Sequence, residues 1–319
     1  MAIQPGKTVS IATRRVGLIG DPVAHSFSPR LQQAAFDALG IAAYYELWQT
    51  SADALATQVA SLLQPYCLGA NVTIPHKEAV LPLLDIVDPL AARIGAVNTI
   101  VHRDEYLYGY NTDAPGLLNA LAEHNVGTRD TQGNFSLKGH TVVLLGAGGA
   151  ARSAAFAVTS ASATRLIIVN RSLERAQRLA TDIGTRFIAS PLPSTDQTET
   201  TQIFCLNDTK FLIPHPRSII INATSVGMHS MHDVRTTTTQ EHTEETSPLP
   251  SEVLVRFTPD TFILDMVYNP VQTRLLIQAR ALGLRAINGL PMLLHQGALA
   301  FTLWTGQPAP LDIMRSTIL

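Results

Sequence analysis

Cysteine is nearly absent from this chain of 319 residues: Cys67 and Cys205 stand far apart, and neither has CxxC or Cys/His spacing around it. That excludes a disulfide framework and a cysteine-based zinc site, and no metal centre is expected. Charge is scarce and balanced as well. Only 15% of residues are charged and the net charge is -2, so the basic excess of a nucleic-acid or anionic-membrane surface is missing. The longest uncharged run, Ala286 to Leu311, is broken by Asn288, Pro291, His295, Gln296 and Gln307, and reads as a buried helix with flanks, not a membrane span. The opening MAIQPGKTVS has no apolar signal core, which sets a cytoplasmic expectation. What remains is a small-molecule partner; monomer or homodimer is left open.

Hydrophobic residues make up 46% of the chain, which is globular and long enough for two cores, hence two domains. Short apolar runs alternate with helical patterns: Val16 to Ile19 then Pro29 to Leu39, Tyr44 to Trp48 then Ala52 to Leu63, Ala70 to Ile74 then Lys77 to Leu84. That rhythm predicts an α/β fold with a mainly parallel sheet covered by helices. A second series starts at TVVLLG (Thr141) and continues through RLIIVN, RFIA, SIIINAT and TFILDMVY. A last helix, about Leu290 to Trp304, has no strand after it. Two threonine-rich stretches, Pro191 to Gln202 and Met231 to Pro250, break the rhythm and read as surface insertions without assigned chemistry.

TVVLLGAGGAARSAAFAV sets Gly146, Gly148 and Ala151 in a GxGxxA register directly after a strand and before an alanine-rich helix, the context a dinucleotide-binding loop needs. The first glycine permits the tight turn and the second lets backbone approach a pyrophosphate. The helix start offers N–H groups to the anion. The candidate cofactor loop is Gly146, Ala147, Gly148, Gly149 and Ala150. The second strand ends at Asn170, where an NAD site would carry an acid; Arg171, Ser172 and Arg175 follow instead. Two guanidinium groups and a hydroxyl suit a 2′-phosphate, so NADP(H) is expected over NAD. The plainer alternative is a solvated helix start.

A nicotinamide cofactor implies hydride transfer, and reducing a ketone needs a proton donor. Lys77, in NVTIPHKEAV, is the candidate: at the start of the expected helix 77–84 the macrodipole disfavours its charged form. A solvated surface lysine is the competing reading. Asn71 and Thr73 alternate on the strand before it and face one way, placed to hold hydroxyls. Asp113, in YGYNTDAPG, is either the carboxylate partner of Lys77 or a helix cap, and spacing leaves both open. In HSFSP, Ser26 and Ser28 offer a carboxylate two hydroxyls at a helix whose first residue is Pro29, with Ser28 as N-cap. Met292 and Gln296 share one face of the last helix, Gln296 being either a satisfied buried amide or a substrate ligand.

Together these segments resemble the shikimate dehydrogenase family. The carriers are GLIGDPVAHSFSP, NVTIPHKEAV, GAVNTI, GYNTD, GAGGAARS, NRSLERA, INATSVGM, DMVYNP and GLPMLLHQGALAFTLWTG, in order from about Val16 to Gly306. The resemblance implies a substrate-binding catalytic domain over residues 1–113 and a Rossmann-type NADP-binding domain over 114–288. Helices of 289–319 would return to the first domain, with the active site in the cleft between the two. It implies reversible, NADPH-dependent reduction of 3-dehydroshikimate to shikimate, on the chorismate route to aromatic amino acids. Lys77 would be the acid/base paired with Asp113. Ser26 and Ser28 would hold the substrate carboxylate with Tyr268, while Thr73, Asn98, Asp113 and Gln296 take ring hydroxyls. Met266 and Gly289 would approach the nicotinamide. The chain departs from the family pattern at Ala114 and Pro115 after NTD, and at Pro291 in GLPM, none of them a proposed catalytic group.

The runner-up is a quinate/shikimate dehydrogenase, which often uses NAD; a catalytically silent NADP-sensing protein on the same scaffold comes after it. Arg171 and Arg175 speak against the first, and the presence of both Lys77 and Asp113 against the second.

Overall fold

The computed structural model describes residues 13–185, 201–228 and 246–318. The chain starts with β1 (Arg14–Gly20), α1 (Ser28–Ala38), β2 (Ala43–Gln49), α2 (Leu55–Ala60), β3 (Cys67–Val72), β4 (Ile86–Val87) and α3 (Pro89–Ile94). An antiparallel hairpin of β5 (Thr99–Arg103) and β6 (Tyr106–Tyr110) leads to α4 (Asp113–Glu123). A short ribbon of β7 (Thr128–Arg129) and β8 (Phe135–Ser136) follows. Then come β9 (Thr141–Leu145), α5 (Gly149–Ser160), β10 (Arg165–Val169), α6 (Leu173–Ile183), β11 (Gln202–Leu206) and β12 (Ser218–Asn222). The last elements are α7 (Ser251–Leu254), β13 (Phe262–Asp265), α8 (Arg274–Ala281), β14 (Arg285–Ile287), α9 (Leu290–Thr305) and α10 (Leu311–Ser316).

Among the described residues two compact units form. The first runs to Val87 and adds Val97–Tyr110 and the chain from Ala300 onward; the second takes Asp88–Ala96 and Asn111–Leu299, so the division falls inside α9. The first unit holds a six-stranded sheet in the order β2-β1-β3-β5-β6-β4. β1 runs parallel to β2 and β3, and the β5–β6 hairpin joins β3 antiparallel. β3 is buried along its whole length, which is why its sequence CLGANV has no polar-out alternation. Phe36 of α1 meets Phe301 of α9 at 5.2 Å between ring centres, so the end of α9 fills this unit's core.

The second unit carries a parallel sheet in the order β11-β10-β9-β12-β13-β14. Successive residues of β9 face opposite sides. Val142 and Leu144 pack with Leu117, Phe156 and Leu179 of α4, α5 and α6. Val143 and Leu145 pack with Val253, Leu275 and Ala279 of α7 and α8. The strand order reverses between β9 and β12, the place where open α/β sheets bind ligands beyond the carboxyl ends of their strands.

Several local expectations need correction. Residues 77–84 are not an α-helix: turns lead to a single 3-10 turn at Leu81–Leu83. Pro82 has no N–H to give and its ring clashes with the preceding turn, which stops a helix there. With no α-helix starting there, no macrodipole acts on Lys77. Ser28 is the first residue of α1 rather than its N-cap, which is Phe27. The hairpin turn, Asp104 and Glu105 with φ of 51° and 67°, carries neither glycine nor asparagine and gave no hairpin signal. β11 opens at Gln202, where the sequence reading ended an insertion. The expected strand RFIA lies outside the described residues, as do positions 191–200 and 231–245 of the two threonine-rich stretches.

Candidate active site

In the second unit Gly146 follows β9 with φ of 110°, and a Cβ there would stand 3.1 Å from the carbonyl oxygen of Ala223, just after β12. Only glycine suits both the angle and the approach. Gly148 is exposed and is the N-cap of α5, with no side-chain hydrogen bond capping the helix and, its chain neighbours aside, open space where its Cβ would be. The N–H groups of the first turn are thus left to an outside anion. Ala147, Gly149 and Ala150, all half-buried, complete a cradle that fits a dinucleotide pyrophosphate. At the end of the neighbouring β10, Asn170 Nδ2 donates to the Ser172 carbonyl at 2.9 Å. Ser172 caps α6, its Oγ accepting from Arg175 N at 3.4 Å. Arg171 and Arg175 are exposed on either side of that cap, a geometry that suits a 2′-phosphate.

Sequence reading passed over the group that braces this loop. Asp265 ends β13 fully buried, and its carboxylate accepts from Asn222 Nδ2 at 2.8 Å, Val267 N at 3.1 Å and Thr273 Oγ1 at 2.5 Å. Burial pushes its pKa above the ordinary carboxylate value against those hydrogen bonds. Asn222 Oδ1 in turn accepts from Thr224 N and Oγ1 at 3.1 and 2.7 Å. The ends of β12 and β13 are locked together beside Gly146. The available signal was an acid ending the apolar run FILD. Met266 comes next and donates from N to the Asn222 carbonyl at 2.9 Å, and Gly289 N donates to Val267 O at 3.2 Å, so Met266 and Gly289 are neighbours.

Asp113, buried, is the first residue of α4 rather than its cap, which is Thr112. Asn111, also passed over, accepts from Ala114 N at 3.1 Å and donates to Ala96 O at 2.9 Å and Ser153 Oγ at 3.2 Å. Gly116, one turn beyond Asp113, lets α9 come so close that a Cβ on it would lie 2.8 Å from Gln296 N. α4 and α9 therefore come close at Gly116 and Gln296, one turn beyond Asp113. Gln296 Nε2 donates to the Leu293 carbonyl at 2.9 Å, and Met292 shares its buried face. Tyr268 lies half-buried in the turn after β13.

The first unit carries the remaining candidates. Ser26 Oγ donates to Ser28 Oγ at 3.1 Å and accepts from Ser28 N at 3.2 Å, so Ser26 supplies the accepting hydroxyl at the start of α1. Thr73, just past β3, donates from N to Ile19 O at 2.8 Å and accepts at its carbonyl from His76 N at 2.9 Å. His76 is buried with Nε2 2.6 Å from the Thr50 carbonyl. Lys77 is half-buried; its carbonyl accepts from Val97 N at 2.8 Å, which sets it beside Asn98, and Asn98 N donates to Tyr110 O at 3.0 Å. Asn71 is buried and bonded to Tyr45, Asn98 and Thr99. Among the described residues there is no cluster of three His, Cys, Asp or Glu side chains that could hold a metal, and no helix long and apolar enough to cross a membrane.

Comparison with known proteins gives the same direction. Residues 18–100 match the shikimate dehydrogenase substrate binding domain, 129–204 the shikimate / quinate 5-dehydrogenase family, and 289–319 the shikimate 5′-dehydrogenase C-terminal domain. A shikimate dehydrogenase (NADP(+)) of Moorella thermoacetica is 42% identical over 307 residues, covering 96% of this chain and 92% of that protein. The chain is also similar to the shikimate 5-dehydrogenase of Thermus thermophilus solved with NADP(H) and shikimate. That likeness has a TM-score of 0.75 at 35% identity, over 96% of this chain and 98% of the other. The quinate dehydrogenase of Corynebacterium glutamicum, solved with NAD, gives a TM-score of 0.77 at 29% identity, over 96% and 98%. With this identity across nearly its whole length, and a glycine cradle at the sheet's switch point, the chain belongs to the shikimate dehydrogenase family.

Proposed function

We propose that this chain catalyses the reversible reduction of 3-dehydroshikimate to shikimate with NADPH, Lys77 serving as the acid/base. The observation that carries the reading is the Val97–Lys77 hydrogen bond, which sets the residue of the amine beside the buried amide of Asn98 in the unit that also holds the Ser26–Ser28 pair. In the reducing direction the Lys77 ammonium gives its proton to the ketone oxygen as that oxygen gains charge. In the reverse direction the neutral amine takes the proton from the hydroxyl. Asp113 is the carboxylate that orients the amine. Ser26, Ser28 and Tyr268 hold the substrate carboxylate, and Thr73, Asn98 and Gln296 serve its hydroxyls, while Asn71, whose amide is taken up by Tyr45, Asn98 and Thr99, stands behind them.

Gly146 to Ala150 would hold the cofactor pyrophosphate, Asn170, Arg171, Ser172 and Arg175 the adenosine end, and Met266 and Gly289 the nicotinamide. Bound there, NADPH supplies the hydride. In this reading residues 1–113 with 289–319 carry most of the substrate chemistry and 114–288 most of the nucleotide contacts, with Tyr268 and Gly289 as the two exceptions. The enzyme works in the cytoplasm on a soluble metabolite and not on nucleic acid, as its balanced charge supports, and a homodimer is the assembly to test by light scattering.

Initial rates for shikimate and quinate, each with NADP and with NAD, form the direct test, and shikimate with NADP is expected to be fastest. A faster quinate and NAD reaction would overturn the substrate and cofactor assignment. Lys77→Ala is expected to lower turnover by about two to four orders of magnitude while NADPH binding persists. Near-normal turnover would remove Lys77 from the chemistry.

A further inference from the structure

β3 and β5 are antiparallel partners whose register sets Asn71 opposite Thr99. Four buried side chains meet there: Tyr45 of β2, Asn71 of β3, and Asn98 and Thr99 at the start of β5. The Tyr45 hydroxyl donates to Asn71 Oδ1 at 2.8 Å. Asn71 Nδ2 donates to Thr99 Oγ1 at 3.2 Å, and the Thr99 hydroxyl donates to Asn98 Oδ1 at 3.2 Å. Asn71 Nδ2 also reaches the Asn98 carbonyl at 3.2 Å.

Each link has a direction, because a hydroxyl has one proton and an amide has an accepting end and a donating end. The Asn98 carbonyl can only accept, so it draws the donating end of Asn71 toward β5, and the Tyr45 proton satisfies the accepting end left facing β2. That donor makes Thr99 Oγ1 an acceptor and directs the single Thr99 proton to Asn98 Oδ1. Asn98 thus turns its oxygen toward Thr99 and its NH2 edge the other way. Reversing the whole chain would turn Asn71 Oδ1 onto the Asn98 carbonyl and set lone pairs against each other, which the low dielectric of a buried site penalises heavily. The Tyr45 ring is held independently, 6.2 Å between centres from Trp304.

We propose that Tyr45 is a positioning residue for the substrate: acting through Asn71 and Thr99, it fixes Asn98 so that the amide presents an N–H donor, not an acceptor, to a ring hydroxyl oxygen. The inference rests on the reading of Asn98 as a ligand of a substrate hydroxyl. It adds that this hydroxyl must accept from Asn98, leaving its own proton for another group.

Steady-state kinetics of Tyr45→Phe test it, since that change keeps the ring against Trp304 and removes only the phenol oxygen and its proton. The KM for shikimate is expected to rise about tenfold while the KM for NADP changes less than about twofold. Thr99→Val is expected to behave like Tyr45→Phe, and Thr99→Ser, which returns the hydroxyl, to lower the shikimate KM again relative to Thr99→Val. Should Tyr45→Phe fail to fold, this Thr99 pair carries the same test. In an Asn98→Ala background Tyr45→Phe is expected to add nothing. If Tyr45→Phe and Thr99→Val leave the shikimate KM unchanged while Asn98→Ala raises it, the relay is wrong and the assignment of Asn98 stands. If Asn98→Ala itself leaves the shikimate KM unchanged, that assignment falls and the relay with it. Equal rises in both KM values, or additive effects in the double variant, would mark a general structural loss and also overturn the proposal.

Discussion

A Cβ on Gly289 would fall onto the carbonyl oxygen of Met266, so the backbone entering α9 is pressed directly against the turn that follows β13. The obstacle is main chain, which cannot swing aside as a flexible side chain can. Gly289→Ala is therefore expected to lower stability by about 1–3 kcal/mol. It should also raise the KM for NADP more than that for shikimate. Thermal unfolding and paired kinetics check both; an unshifted melting temperature would contradict the close approach.

Arg171 and Arg175 stand exposed around the Ser172 cap at the end of β10. A charge-assisted hydrogen bond contributes about 1.5–3 kcal/mol. Arg171→Asp is expected to raise the KM for NADP by about one to two orders of magnitude, with a far smaller change for NAD. Equal changes for the two nucleotides would reject a phosphate clamp.

Asp265 makes stability depend on pH in a definite direction. Its folded pKa is raised by burial, so the folded state binds the proton more tightly than the unfolded state does. The stability this proton brings is fully present below the ordinary carboxylate value of about 3.9 and is lost as pH climbs through the raised value. Asp265→Asn cannot titrate. Urea midpoints of the two proteins should therefore diverge in the variant's favour as pH rises from about 4, whatever offset the altered hydrogen bonds add. Parallel curves would mean that Asp265 titrates alike in both states.

Asn111, just before the Thr112 cap, accepts from Ala114 N in the first turn of α4 and ties that turn to Ala96 and Ser153. Asn111→Ala leaves buried partners unmet and is expected to cost about 1–3 kcal/mol. Turnover should fall with it, because Asp113 begins the same helix. Unchanged stability in chemical denaturation would argue against this bracing role.

The α/β alternation and the glycine loop were legible because each is written in a few consecutive residues. The helix expected at Leu290 to Trp304 is found at Leu290–Thr305, with Pro291 tolerated in the first turn, where its missing N–H has no intrahelical acceptor to lose. The helix expected at 77–84 failed on Pro82, a breaker visible in the sequence but outweighed there by the apolar pattern. Tyr45, Asn71 and Thr99 could not be joined from sequence. Period-two alternation says which face a residue takes but not the register that brings β2, β3 and β5 side by side.

The end of α9 has a consequence for biosynthesis. Phe301 packs tilted against Phe36, and Trp304 Nε1 donates to the Ile100 carbonyl at 2.9 Å while its ring backs Tyr45. A ribosome delivers the earlier partners roughly 200 to 265 residues before these aromatics emerge. The unit translated first therefore cannot finish folding first, contrary to the usual N-to-C order. Nascent chains arrested short of α9 would leave Phe36 and Tyr45 uncovered as chaperone targets.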